Sequence, residues 1–135
     1  MRLALVASLF NREVVDPMVE RALQRAAELG LQVTTVVRVP GAFEIPPAVQ
    51  RLLERSDVDG AVALGAVIKG ETKHDEVIMQ AAAHALMDIG LRTGKPVGLG
   101  ITGPGMTDRQ AKARIRAASR AVDAAKAMHE LLRGL

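Results

Sequence analysis

Four short apolar runs, at residues 3–8, 32–39, 60–66 and 96–101, are partly β-branched and read as strands buried on both faces. Longer segments of helical character lie between them. Residues 14–29 carry apolar positions at helical spacing and stop at Gly30, which suits the left-handed turn after a helix. Pro46 and Pro47 stand where a helix can begin, and that segment runs to Arg55 before residues 56–60 turn the chain. Residues 72–89 form a third helix ending at Gly90, and residues 107–132 close the chain as one long helix. The order β-α-β-α-β-α-β-α predicts an α/β fold, a four-stranded parallel sheet with helices on both faces and right-handed crossovers. No repeat, low-complexity tract or linker interrupts it, so residues 1–135 read as a single domain. Such sheets bind ligands at the carboxyl ends of their strands. The loops at residues 8–14, 39–47, 65–75 and 100–107 are therefore where chemistry is expected.

Composition narrows the chemistry. A chain of 135 residues buries roughly two-thirds of its unfolded surface and needs no covalent staple. It contains no Cys, which excludes a disulfide framework, a cysteine zinc site, an iron–sulfur cluster and a cysteine nucleophile, and fits a reducing compartment. Eighteen Lys and Arg against fifteen Asp and Glu leave a net charge of +3. The sequence pI of 9.8 is high because, without Tyr or Cys, little besides His titrates between the carboxylates and Lys. Phe10 and Phe43 are the only aromatics, too few for the stacking that accompanies nucleic-acid binding. The apolar run at residues 3–10 lacks the charged start and the length of a signal peptide. The run at residues 61–68 falls far short of the roughly 20 residues a membrane span requires.

Several residues invite a chemical role, each beside a structural one. The loop Gly65-Ala66-Val67-Ile68-Lys69-Gly70-Glu71-Thr72-Lys73-His74-Asp75 leaves a strand and opens a helix. Free amides and a hydroxyl there make either an anion site or a glycine-permitted turn with Thr72 as cap. It lacks the spacing of a Walker or dinucleotide loop. His74, in the first turn, is expected to project near Ile78, Ala81 and Ala85, partly desolvated, as a proton carrier or as a satisfied structural histidine. His84 and His129 read as structural, and no His or carboxylate spacing supports a metal site. On the last helix, Arg109, Lys112, Arg116 and Arg120 share a solvated stripe, whereas Arg114 falls among Ala111, Ala118, Ala121 and Ala125. An inward guanidinium needs a partner, either a bound anion or an acid such as Glu44 or Asp75. Phe10, Asn11 and Phe43 lie in ligand-end loops, as does Glu44, which either accepts hydrogen bonds from a ligand or caps the following helix.

Together, Ser8-Leu9-Phe10-Asn11, Val39-Pro40-Gly41-Ala42-Phe43-Glu44-Ile45-Pro46, the Gly65 to His74 loop and the Gln110-Ala111 to Arg114 segment closely resemble 6,7-dimethyl-8-ribityllumazine synthases, over nearly the whole chain. The Gly100 to Thr107 segment is similar to the variant of archaeal members. The resemblance implies a flavodoxin-like three-layer α/β/α sandwich and the penultimate step of riboflavin biosynthesis. That reaction condenses 5-amino-6-(D-ribitylamino)uracil with 3,4-dihydroxy-2-butanone 4-phosphate, releasing phosphate and two waters, with no metal or redox cofactor. It implies that Phe10 stacks on the pyrimidinedione, with Asn11 beside it, while Ala42, Phe43, Glu44, Ala66, Val67 and Ile68 hold the ring and ribityl chain. Glu71, Thr72 and Arg114 would hold the phosphate, and His74 would move protons.

This chain departs from the pattern at Asp75, where an aromatic is common, and at Leu99, where many members put Phe or Trp in the wall of the ring pocket. Lys69 stands where Arg is common, and the segment after Gly100 is one residue longer than in typical bacterial members. The chain begins at its first strand, without the extension that pairs with a neighbouring subunit in many members. The resemblance further implies a cytoplasmic homo-oligomer, pentamer or sixty-subunit shell, with active sites between subunits and a functional link to riboflavin synthase. Neither nucleic acid nor membrane is an expected partner. The competing readings are an archaeal-type riboflavin synthase, a binding or container protein on the same fold, and a flavin carrier.

Overall fold

A computed structural model describes residues 1–70 and 73–135, with the side chains of residues 104 and 105 excluded. In chain order the elements are β1 (Arg2–Ser8), α1 (Arg12–Glu28), β2 (Gln32–Val39), a 3₁₀ turn (Ala42–Glu44), α2 (Ile45–Leu53), β3 (Gly60–Ile68), α3 (His74–Thr93), β4 (Val97–Met106), α4 (Asp108–Ala113) and α5 (Ala117–Arg133). The strands form one parallel sheet in the order β2-β1-β3-β4. The four-stranded parallel α/β arrangement expected from the alternation is the one observed, and it is flavodoxin-like, as the resemblance implies.

β1 and β3 occupy the centre, and their side chains alternate between two cores. Leu3, Leu5, Val62 and Leu64 pack on α1 and α5, with Met18, Ala22, Ala118 and Val122 fully or almost fully buried there. Ala4, Val6, Ala61 and Ala63 face α2 and α3, meeting Ile45, Val49, Leu53 and Leu86. Small side chains let the layers approach closely. At Gly98 an added Cβ would overlap the Ala121 carbonyl of α5 and lie 3.1 Å from Val62 Cγ2.

Two polar clasps join distant segments at the opposite, amino-terminal edge. The Arg2 guanidinium donates to both oxygens of Asp59, at 3.2 and 3.1 Å, while the Arg2 amide donates to Asp59 Oδ2 at 2.6 Å. These charge-assisted contacts pull the Asp59 carboxyl pKa from 3.8 down to about 2. Lys95 Nζ donates to the Leu53 and Arg55 carbonyls, both at 2.8 Å, closing the carboxyl end of α2.

Four expectations need correction. β2 is an edge strand whose residues are mostly part-exposed, so only the inner strands are buried on both faces. The third helix passes through Gly90 and ends at Gly94, φ 68°, where the left-handed turn occurs. β4 continues past Ile101 to Met106, with a register shift opposite the segment 66–68 of β3. The single closing helix is two helices. α4 starts on a reciprocal Thr107–Gln110 capping box, and the chain leaves it at Arg114, φ −104° and ψ 20°.

Candidate active site

Three of the four predicted loops converge at the carboxyl ends of β1, β2 and β3, around an open cleft of about 650 Å³. The β1–α1 connection extends the sheet's pairing beyond the strands. Leu9 and Phe10 donate their amides to the Val39 and Pro40 carbonyls at 2.7 and 3.1 Å. This holds the Phe10 ring out at the cleft, 71% exposed. Asn11 follows in the left-handed conformation, φ 61°, and its side-chain Nδ2 donates to the Ala66 carbonyl at 2.8 Å.

The β2–α2 connection forms the second wall. Gly41 is extended, Ala42 is buried, and the 3₁₀ turn leaves Phe43 and Glu44 exposed at the cleft. Glu44 occupies the position before α2, but its side chain makes no capping hydrogen bond. The capping alternative is therefore not realised, and its carboxylate stays at the cleft.

The third wall is the end of β3, at Ala66, Val67 and Ile68, continuing to Gly70 and the first turns of α3 at His74, Asp75, Val77 and Ile78. Ala66 and Val67 are buried, so the β3 end makes an apolar floor. His74 lines the cleft with Ile78 as expected, but it is exposed rather than desolvated. Ala81 is also exposed, and Ala85 belongs to a separate groove between α2 and α3. Asp75 is the buried polar residue of this wall, 6% exposed. α3 begins at His74 with Lys73 in the capping position. The sequence-predicted sites Glu71 and Thr72, with Thr72's capping role, lie outside the described residues.

Two predicted site residues are elsewhere. Arg114 does not line the cleft. It is exposed, because the break after α4 rotates it out of the apolar face that a continuous helix would give it. It makes no ion pair with Glu44 or Asp75 among the described contacts. Arg109, Lys112, Arg116 and Arg120 are exposed as expected of a solvated stripe. Leu99, 47% exposed on edge strand β4, lines a different cavity of about 460 Å³ with Met87, Leu91, Met128 and Leu132.

Among the described residues, the cleft is thus apolar in its floor and carries one imidazole and two carboxylates at its sides. Sequence reasoning did not single out Pro40, Gly41 and Val77 as part of this lining. For Val77 the signal was available, since it follows His74 by about one helical turn, beside the expected Ile78. Among the described residues no group of three or more His, Cys, Asp or Glu is arranged to hold a metal ion. No described helix is long and apolar enough to cross a membrane.

A family model for 6,7-dimethyl-8-ribityllumazine synthase matches residues 1–135. Among curated proteins, the 6,7-dimethyl-8-ribityllumazine synthase of Methanopyrus kandleri is 52% identical over 134 residues, 99% of this chain and 95% of its own length. That of Staphylothermus marinus is 52% identical over 128 residues, 94% of this chain and 85% of its own. That of Archaeoglobus fulgidus is 48% identical over 124 residues, 92% and 87% of the two chains.

Proposed function

The chain belongs to the 6,7-dimethyl-8-ribityllumazine synthase family, and from that premise we propose how its residues divide the work. Its activity is the transfer that condenses 5-amino-6-(D-ribitylamino)uracil with 3,4-dihydroxy-2-butanone 4-phosphate in riboflavin biosynthesis. Phe10 stacks on the pyrimidinedione, while Ala42, Phe43, Glu44, Ala66, Val67 and Ile68 hold the ring and the ribityl chain. An apolar floor with an exposed aromatic at its edge suits a flat heterocycle, and the Glu44 carboxylate suits its hydroxyl and amine donors.

His74 moves protons as the amine attacks the ketone carbonyl, as phosphate is eliminated and as the ring closes with loss of water. Glu71, Thr72 and Arg114 hold the phosphate. Most of the acceleration comes from holding two reactants together, with proton transfer a smaller contribution.

The observation that carries the assembly reading is the separation of Leu99 and Arg114 from the cleft. A neighbouring copy supplies both residues, so each active site is completed between subunits. The exposed apolar side chains of Met87, Leu91, Leu99, Met128 and Leu132 support a buried subunit contact at this edge. We take the assembly to be at least a pentamer, either free or closed into a sixty-subunit shell. The absence of Cys supports a cytoplasmic setting. Residues 1–135 act as one domain, and riboflavin synthase, which dismutates the lumazine, is the functional neighbour.

The test is to mix purified protein with both substrates and follow lumazine fluorescence and released phosphate together. Equal amounts of both, well above a no-enzyme control, are expected. Folded protein that binds the uracil but accelerates nothing would point to the container reading.

A further inference from the structure

We infer that Asn11 is a positioning residue, which fixes the aromatic platform of Phe10 against the end of β3 through its side-chain amide; this rests on the ring-site reading above. Three bonds meet at this point. The Asn11 backbone carbonyl accepts from the amides of Val14 and Val15, both at 3.0 Å, and so starts α1. Its left-handed backbone, φ 61° and ψ 48°, reverses the chain between Phe10 and the helix. Its Nδ2 reaches across 55 residues of sequence to the Ala66 carbonyl at 2.8 Å.

The turn alone does not require Asn. Gly accepts φ > 0 more readily, and Asp tolerates it comparably well. What Asn adds is a donor, and the acceptor it meets is the first of the three β3 residues that floor the cleft. Phe10 is otherwise anchored to the second wall, by its amide to Pro40, and Ser8 Oγ donates to its carbonyl at 3.4 Å. No other described bond ties the Phe10–Asn11 turn to β3. Without the amide, the ring remains attached to the Pro40 wall, and the turn is tied to β3 only through the strand pairing that ends at Ala7 and Leu64, so its distance from the β3 floor is less tightly fixed. An exposed ring has little packing to restore that distance.

The experiment uses Asn11→Gly and Asn11→Asp, which keep the turn but remove the donor, the second also placing a carboxylate against the Ala66 carbonyl. With melting temperature recorded for each, KM for ribitylaminouracil is expected to rise about threefold to tenfold, the scale of one lost hydrogen bond, and more for Asp than for Gly. KM for the butanone phosphate is expected to move less than about twofold. The decisive readout is the cycle with Phe10→Ala. If Asn11 acts through Phe10, Asn11→Gly adds nothing to the KM of the Phe10→Ala protein. Unchanged KM in both folded Asn11 variants, or fully additive effects in the cycle, would overturn the inference. Phe10→Ala leaving the uracil KM unchanged would instead overturn the ring-site reading itself.

Discussion

Phe10 and Leu99 line two different cavities of the same chain, the first at the strand ends beside His74 and the second at the β4 edge beside Met128. A single copy therefore cannot bring both side chains onto one heterocycle. The active-site account requires the β4 edge of one subunit to meet the cleft of the next.

If the β4 edge is a subunit contact, placing charge there must dissociate it, because an unpaired carboxylate on a buried apolar surface is strongly disfavoured. Leu99→Glu with Met128→Glu is expected to reduce the native mass to that of one chain, measured by light scattering. Turnover should fall about tenfold or more in the same preparation. A full-size assembly with wild-type turnover would exclude this edge from the contact.

The phosphate and proton roles separate kinetically. If Arg114 holds the phosphate, Arg114→Ala is expected to raise KM for the butanone phosphate about tenfold or more, with a smaller effect on kcat. His74→Ala is expected to lower kcat on the order of a hundredfold, the lower end for a positioned acid–base group, with both KM values little changed. Steady-state kinetics against each substrate distinguishes the two, and wild-type constants in both variants would refute the assignment.

The Arg2–Asp59 clasp has a defined pH window. The Asp59 carboxyl is held at about 2 in the folded chain, below its ordinary 3.8, so its stabilisation is fully present above pH 4 and is lost as pH falls toward 2. Solvent screening at this part-exposed pair keeps its contribution well below what the shift alone would imply. Asp59→Asn should unfold in less urea than wild type at pH 6, with the gap closing between pH 4 and pH 2. A gap that stays constant over that range would remove the carboxylate from the explanation.

Gly98 is required by proximity rather than by backbone conformation. An alanine there pushes its Cβ into the Ala121 carbonyl, so α5 must lift from β4. Gly98→Ala should cost about 1–3 kcal/mol, the usual scale of overpacking, read as a lower melting temperature. Gly70→Ala, where no described residue lies within 4 Å of the added Cβ, is the control expected to keep a melting temperature near wild type.

The sheet was legible because β1 and β3 carry uninterrupted apolar residues, and three of the loops after its strands do form the cleft. The last helix was not legible, since no Gly or Pro stands between Ala113 and Ala117 to signal the break. There, packing of Ala111 and of the Ala118–Ala125 face into the α1-side core prevails over local propensity. The misplacement of Arg114 follows directly, because a helical wheel carries its phase across a break it cannot see. Gly90 misled in the opposite sense. A glycine resembles a stop signal, but this one lies in the helix interior, where an added Cβ would sit 3.4 Å from the Lys95 carbonyl. Leu99 was assigned to the ring pocket by resemblance alone, and strand periodicity says nothing about which copy's pocket an exposed edge residue serves.

The central claim, that each active site is built from two subunits, is tested most directly by mixing two impaired chains. One carries His74→Ala with Arg114 intact, and the other carries Arg114→Ala with His74 intact. After joint unfolding and refolding, random assembly pairs an intact His74 with a neighbour's intact Arg114 in about a quarter of the sites. Activity is expected to return toward that fraction of wild type at low butanone phosphate concentration, above either parent. Activity no greater than the sum of the separately refolded parents, in assemblies shown to contain both chains, would contradict it.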